Sequence, residues 1–331
     1  MCSHALYRNT MANTGQRPWH KLGVQFENEF TSAEAIAAAR LDYRVLKEQL
    51  YRLRSDLGPG MTEPTEAYAT INGHTQDVLG IVGEGYEVLQ NREAFDFFDI
   101  LLNESGGKLQ TAGAIGKGEK VWMLAKLPEV FYPLAGDGVE QYLLGTTSHD
   151  GTMKTEVRFV KIRVVCQNTF NLALKGSRGV ISIRHTTNMR QKLEMAAMVL
   201  LRYKEHFDLA GDQFAKLASV RVDDAWIDEY LERMAGNPAN VADGRGRTIM
   251  ENKIKLIEGR LNTGMGVDLP GVAGTAWWAL NAMVEYADFD QKVRGQALDE
   301  SRRTASILFG TAAEFKQSAF DTAMAMVARA G

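Results

Sequence analysis

Two cysteines in 331 residues, Cys2 and Cys166, are too few and too far apart for a disulfide framework, which points to a reducing compartment. Proline is scarce, seven in all, and that argues against long disordered linkers. No run approaches the about 18 apolar residues needed to span a bilayer, so no membrane partner is expected. The opening residues MCSHALYRNTMANTGQ have no apolar core, so no signal peptide is expected and the protein reads as cytoplasmic. Six histidines, His4, His20, His74, His149, His185 and His206, are scattered, and none stands at ligand spacing from another His or Cys. The glycine-rich stretches match neither a P-loop nor a dinucleotide fingerprint, since Gly118 is followed by Glu119-Lys120. No metal and no cofactor is therefore expected.

Glycine is abundant at 31 residues, so many turns are expected, and an apolar content of 45% with 24% charged is that of a globular chain. The net charge of −3 hides an uneven distribution. Residues 56–107 hold ten acids and one base, net −9, while residues 154–192 hold nine bases and one acid, net +8. Such a dipole suits head-to-tail self-association or an anionic ligand; equally, the two segments can neutralise each other inside one fold.

Hydrophobic periodicity predicts an α+β fold: a β-rich half of antiparallel hairpins with short helices over 1–187, then a helical region over 188–331. Thr31-Ser32-Ala33-Glu34 is a capping box opening a helix to about Arg40, and Asp42–Arg54 reads as a strand. Asn72-Gly73 marks a hairpin turn, and Asn91 is expected to cap a helix carrying Phe95, Phe98 and Leu102 on one face. Two further hairpins are expected around Gly116-Lys117-Gly118 and His149-Asp150-Gly151. Val160, Ile162 and Val164 have the opposite parity to Val157 and Phe159, which predicts a bulge or bend near Phe159. Asn168 and Thr169 are expected to cap a short helix over 168–174, and 180–184 a closing strand.

Met189, Leu193, Ala196, Leu200, Tyr203, Phe207, Ala210, Phe214 and Leu217 alternate by four and three, predicting one long helix over 188–218 with Gly211 as its weak point. Its small and aromatic members favour packing on its own domain over a seam shared between chains. A linker is expected near 236–247, followed by helices over 248–261, 275–287, 291–309 and 311–328.

No pair of catalytic carboxylates declares itself, and Ser148-His149-Asp150 cannot form a triad because consecutive residues do not converge. Cys166, ending an apolar strand, reads as core. The basic stretch carries the chemistry. Lys161 and Arg163 share one parity of a strand, Lys175 and Arg178 follow in a turn, and Arg184, Arg190 and Lys192 come next, with Tyr142, Phe159 and Phe170 as stacking candidates. Bases interleaved with aromatics along a strand suit sequence-tolerant binding of single-stranded nucleic acid.

Pro18-Trp19-His20-Lys21-Leu22-Gly23, the stretch Gly85-Tyr86-Glu87-Val88-Leu89-Gln90-Asn91, Arg163-Val164-Val165-Cys166-Gln167-Asn168-Thr169, Ile183-Arg184-His185-Thr186 and Thr275-Ala276-Trp277-Trp278-Ala279-Leu280-Asn281-Ala282 resemble the phage/plasmid-like protein family of unknown function. The resemblance runs over nearly the whole chain and implies a mobile element acting in a host cytoplasm, without implying an activity. The order helix, strand, hairpin, helix over 31–102 is similar to the core of ring-forming single-strand annealing proteins, although here that segment is acidic and the bases come later. The leading expectation is thus a DNA-metabolism protein that binds or anneals single strands as an oligomer joined through segments 56–107 and 154–192. The alternative is a homo-oligomeric assembly or host-interaction protein that binds no nucleic acid, and an enzyme of unrecognised type ranks third.

Overall fold

The computed structural model describes residues 12–13, 24–25, 31–56, 58–165, 169–170, 180–191, 203–291 and 300–330. It is α+β, with sheets in the N-terminal half and helices in the C-terminal half. The chain forms two compact units: the first holds 1–128, 143–158 and 180–202, the second 129–142, 159–179 and 203–331.

The first unit opens on β1 (Ala12–Asn13) and β2 (Val24–Gln25), then α1 (Ser32–Ala38), whose Thr31 cap exchanges both capping-box bonds with Glu34. Strands β3 (Val45–Leu53), β4 (Thr62–Asn72) and β5 (Val78–Gly83) make a three-stranded antiparallel sheet in that order. Helix α2 (Asn91–Ser105) buries Phe95, Phe98 and Leu102, as the spacing predicts. The larger sheet adds β6 (Lys108–Ile115), β7 (Lys120–Leu134), β8 (Asp137–Ser148), β9 (Thr155–Arg163), β10 (Thr169–Phe170) and β11 (Val180–Ile183). Its order is β10-β9-β8-β7-β6-β1-β2, with β11 also paired to β9, and β7, β8 and β9 each give one stretch to each unit.

The second unit is mainly helical: α3 (Tyr203–Ser219), α4 (Asp224–Ala235), α5 (Arg245–Thr263), α6 (Ala276–Glu285), α7 (Glu300–Phe309) and α8 (Thr311–Ala330). Asp223 and Thr275 cap α4 and α6 through the backbone N–H groups of Trp226 and Trp278. Ala210, Phe214 and Leu217 of α3 are buried, and the Phe214 ring lies 4.9 Å from Trp277 and 5.9 Å from Phe320. These members of the heptad pattern are therefore spent within their own unit. Residues 192–202 lie outside the described residues.

Several local expectations are corrected. The Asn72-Gly73 pair does not form a two-residue turn. The loop runs to Asp77, Asn72 Oδ1 accepts from His74 and Thr75, and the left-handed residue is Gln76 at φ 62°. Gly73 serves a close approach instead: its N–H donates to the Arg44 carbonyl, and a Cβ there would stand 2.7 Å from that oxygen. The residue capping α2 is Gln90 rather than Asn91. Strand β9 continues from Thr155 through Phe159 to Arg163, and both of its faces are buried beyond Phe159, which explains the change of apolar parity. Thr169 lies in a strand and not at a helix cap, while Asn168 and 171–179 fall outside the described residues. Helix α3 runs through Gly211, α5 begins at Arg245 inside the expected linker, and Gln291 is not helical.

Gly73→Ala is expected to cost about 1–3 kcal/mol in urea unfolding, because the methyl meets a backbone oxygen that cannot move freely. Gly83→Ala, with nothing within 4 Å of its Cβ position, is the control and should be near neutral.

Candidate interaction surface

The described members of the basic stretch do not form one outer track. Lys161 and Arg163 leave β9 on the same side, as parity requires, and that side is the interior: their exposures are 0% and 1%. Arg163 forks onto Asp137, Nε to Oδ1 at 2.6 Å and Nη2 to Oδ2 at 2.8 Å. Its remaining donors reach the carbonyls of Met265 at 3.1 Å and Gly266 at 3.4 Å. Asp137 Oδ2 also accepts from Trp277 Nε1 at 2.8 Å. Gly266 has φ 77°, and a Cβ there would stand 2.9 Å from Arg163 Nη2, so glycine lets the backbone come this close. Burial pushes the Lys161 ammonium down to about 7. As a correction to the expected track, both bases are interior supports, and the stacking candidates Tyr142 and Phe159 are buried as well.

Arg184 and Arg190 are exposed. Arg190 reaches both carboxylate oxygens of Glu93 at 3.0 Å, so one base of 154–192 neutralises one acid of 56–107 within the same unit. Lys175, Arg178 and Lys192 lie outside the described residues, as does Cys166. The backbone N–H of Thr169 donates to Asp288 Oδ2 at 2.9 Å, and the buried Lys316 donates to the other oxygen of that carboxylate at 2.7 Å.

Two histidines that their sequence spacing left unconnected sit in one polar layer of the first unit. Asn91 Nδ2 donates to the Leu41 carbonyl, so its Oδ1 is the acceptor for His149 Nε2 at 2.8 Å. His149 Nδ1 is then an unprotonated nitrogen, buried and without a partner. His185 donates from Nδ1 to the Glu87 carbonyl at 3.2 Å, leaving Nε2 to the hydroxyls of Thr155 and Thr147 at 3.3 and 3.5 Å. Tyr86 stacks on His185 at 4.8 Å and donates to the Ser148 carbonyl. Burial lowers both imidazole pKa values, that of His149 to about 3. Both rings are thus neutral packing groups, and the contact linking residues 91 and 149 leaves no local sequence signal.

Exposed apolar side chains occur on several elements, Val78 and Ile81 of β5 and Ile249 and Leu256 of α5 among them, and also on the β3–β4 hairpin. At the turn end of the β3–β4 hairpin, Tyr51 is 61% exposed, Leu53 68% and Met61 50%. Tyr51 pairs with Pro64 and Leu53 with Thr62, and a register shift between Gln49 and Tyr51 precedes this stretch. From the opposite face, Arg52 and Arg54 pair with Glu63, and Arg54 also pairs with Asp56. Side chains alternate along a strand, so Tyr51 and Leu53 share one face of the hairpin end with Pro64 and Thr62, while Arg52, Arg54 and Glu63 share the other; the first face is exposed and free of charge, an arrangement suited to a protein contact. Among the described residues no helix is long and apolar enough to cross a membrane, and no group of three or more His, Cys, Asp or Glu could hold a metal ion.

These features define an α+β protein in which Lys161 and Arg163 belong to the core and in which Tyr51 and Leu53 stand exposed at the end of a hairpin. The chain belongs to the DUF932 family, a domain of unknown function, whose model matches residues 78–308. No curated protein and no solved structure matches it.

The unfolded imidazole of His149 takes a proton near 6.5, whereas in the fold it resists until about 3. Its contribution to stability is fully present above pH 6.5 and is lost as the pH falls from 6.5 towards 3. Between pH 6.5 and 5 the loss amounts to about 2 kcal/mol. Urea unfolding across this range should show a correspondingly shallower pH dependence in His149→Gln than in the wild type.

Proposed function

We infer that the protein works by assembling with copies of itself through the turn end of the β3–β4 hairpin, as a structural or host-interaction component of a phage or plasmid. The observation that carries this reading is the joint exposure of Tyr51 and Leu53 on one face of the hairpin end. A second copy suits this face because Tyr51 and Leu53 have only Pro64 and Thr62 as cross-strand neighbours, so two identical uncharged faces can meet about a two-fold axis while the ion pairs of Arg52 and Arg54 stay on the opposite face. Covering one large apolar side chain stabilises by about 1.5–3 kcal/mol, and a two-fold contact covers both Tyr51 and Leu53 twice, which offsets much of the cost of association. The mobile-element setting rests on the resemblance of the chain's motifs to those of the phage/plasmid-like family.

This reading prefers assembly to single-strand binding on two grounds. Lys161 and Arg163 lie inside, away from any surface that a phosphate backbone reaches, and Arg190 is already paired with Glu93. It also moves the self-contact from the acidic and basic segments as wholes to the apolar face of one hairpin end.

Light scattering behind size exclusion should give an oligomer at micromolar concentration. Leu53→Ser should weaken association at least tenfold, since about 1.4 kcal/mol is a factor of ten. A wild-type chain that stays monomeric, or a Leu53→Ser oligomer of unchanged affinity, would overturn the proposal.

A further inference from the structure

A cavity of about 290 Å³ opens in the first unit beside α1 and the start of α2. Its wall is apolar where Ile36, Ala37 and Leu41 line it, and its rim carries Asp42, Arg44, Arg92 and Asp96. All four of these charged side chains are exposed, and among the described residues none of them makes an ion pair. A charged group that finds no partner in its own chain keeps its full capacity for a ligand.

The back of the cavity is fixed. Asn91, buried, is held by the Leu41 carbonyl and by His149, and the Gln90 side-chain amide both donates to and accepts from the Val45 backbone. Neither amide has to rearrange when something enters, so binding needs little reordering. The volume sits at the lower end of small-ligand pockets and is too small for a nucleotide or a large cofactor.

From this combination we propose that the cavity binds a small zwitterion with an apolar body, the chemistry of a free apolar amino acid. The ligand carboxylate meets the guanidinium groups of Arg44 and Arg92. Its ammonium meets the carboxylates of Asp42 and Asp96. The aliphatic side chain enters between Ile36 and Leu41, in the space that the small Ala37 leaves open. A simple anion would be repelled by the two aspartates and a simple cation by the two arginines, so the rim selects a molecule carrying both charges. This proposal is independent of self-assembly, since the cavity and the hairpin end share no residue.

Calorimetric titration and thermal shift with L-leucine on the full chain test it, with leucinamide and 4-methylpentanoate as probes lacking one charge each. L-leucine is expected to bind with a millimolar or tighter Kd and to raise Tm, and each single-charge analogue to bind at least tenfold more weakly. Ala37→Trp, at an exposed position of α1, should fill the cavity and abolish binding while leaving the Tm of the free protein unchanged. Arg92→Glu, also exposed, should weaken L-leucine at least tenfold and offers a second variant should the tryptophan disturb the fold. Absence of L-leucine binding, equal binding of leucinamide or 4-methylpentanoate, or unchanged binding in both variants would overturn the proposal.

Discussion

A guanidinium taken out of water costs several kcal/mol unless every donor is met, and Arg163 is 1% exposed. It is met by both oxygens of Asp137 and by the carbonyls of Met265 and Gly266, while Asp137 in turn takes the indole N–H of Trp277. The end of β9, the start of β8, the glycine-rich segment before α6 and α6 itself are therefore tied to one ion pair. Trp277 carries the tie onward, because Phe214 of α3 packs on its ring and Phe320 of α8 packs on Phe214. Removing one partner of such a pair leaves a bare buried charge, at a cost of about 3–5 kcal/mol, so the geometry of the second unit depends on Asp137 and Arg163 staying together. The buried pair Lys316–Asp288 repeats the pattern and fixes Thr169.

This constraint changes the meaning of the basic stretch. A run of bases along a strand reads as an outer surface when the strand has a solvent face. Beyond Phe159, β9 has none, and a base on that stretch must be paired or neutral. Arg163 is paired, and burial lowers the proton affinity of Lys161. Further along, Arg190 meets Glu93, an acid from the oppositely charged segment. The charge asymmetry of the sequence is at least partly consumed inside the fold, and the exposed apolar hairpin becomes the more distinctive surface.

Much of the architecture was legible from the residues. The capping box at Thr31 and Glu34 and the glycine turn between β6 and β7 are local signals, and local signals survive tertiary context. Where a long-range contact competed, the reading failed. Asn91 looked like a cap, but its side chain is taken by Leu41 and His149, so Gln90 holds the cap position. Gly73 looked like a turn residue, but the nearness of the Arg44 carbonyl is what requires glycine there. Parity correctly placed Lys161 and Arg163 on one side of a strand, but could not say that this side faces inward, because the covering residues, Asp137 and Met265 to Trp277, come from distant parts of the chain.

The most direct test of whether these bases serve the fold rather than a nucleic acid is the binding of a fluorescent single-stranded oligonucleotide across a salt series. The account predicts no micromolar binding even at low salt, and no difference between the wild type and Arg184→Glu. Micromolar or tighter binding that falls steeply with salt and is lost in Arg184→Glu would contradict it.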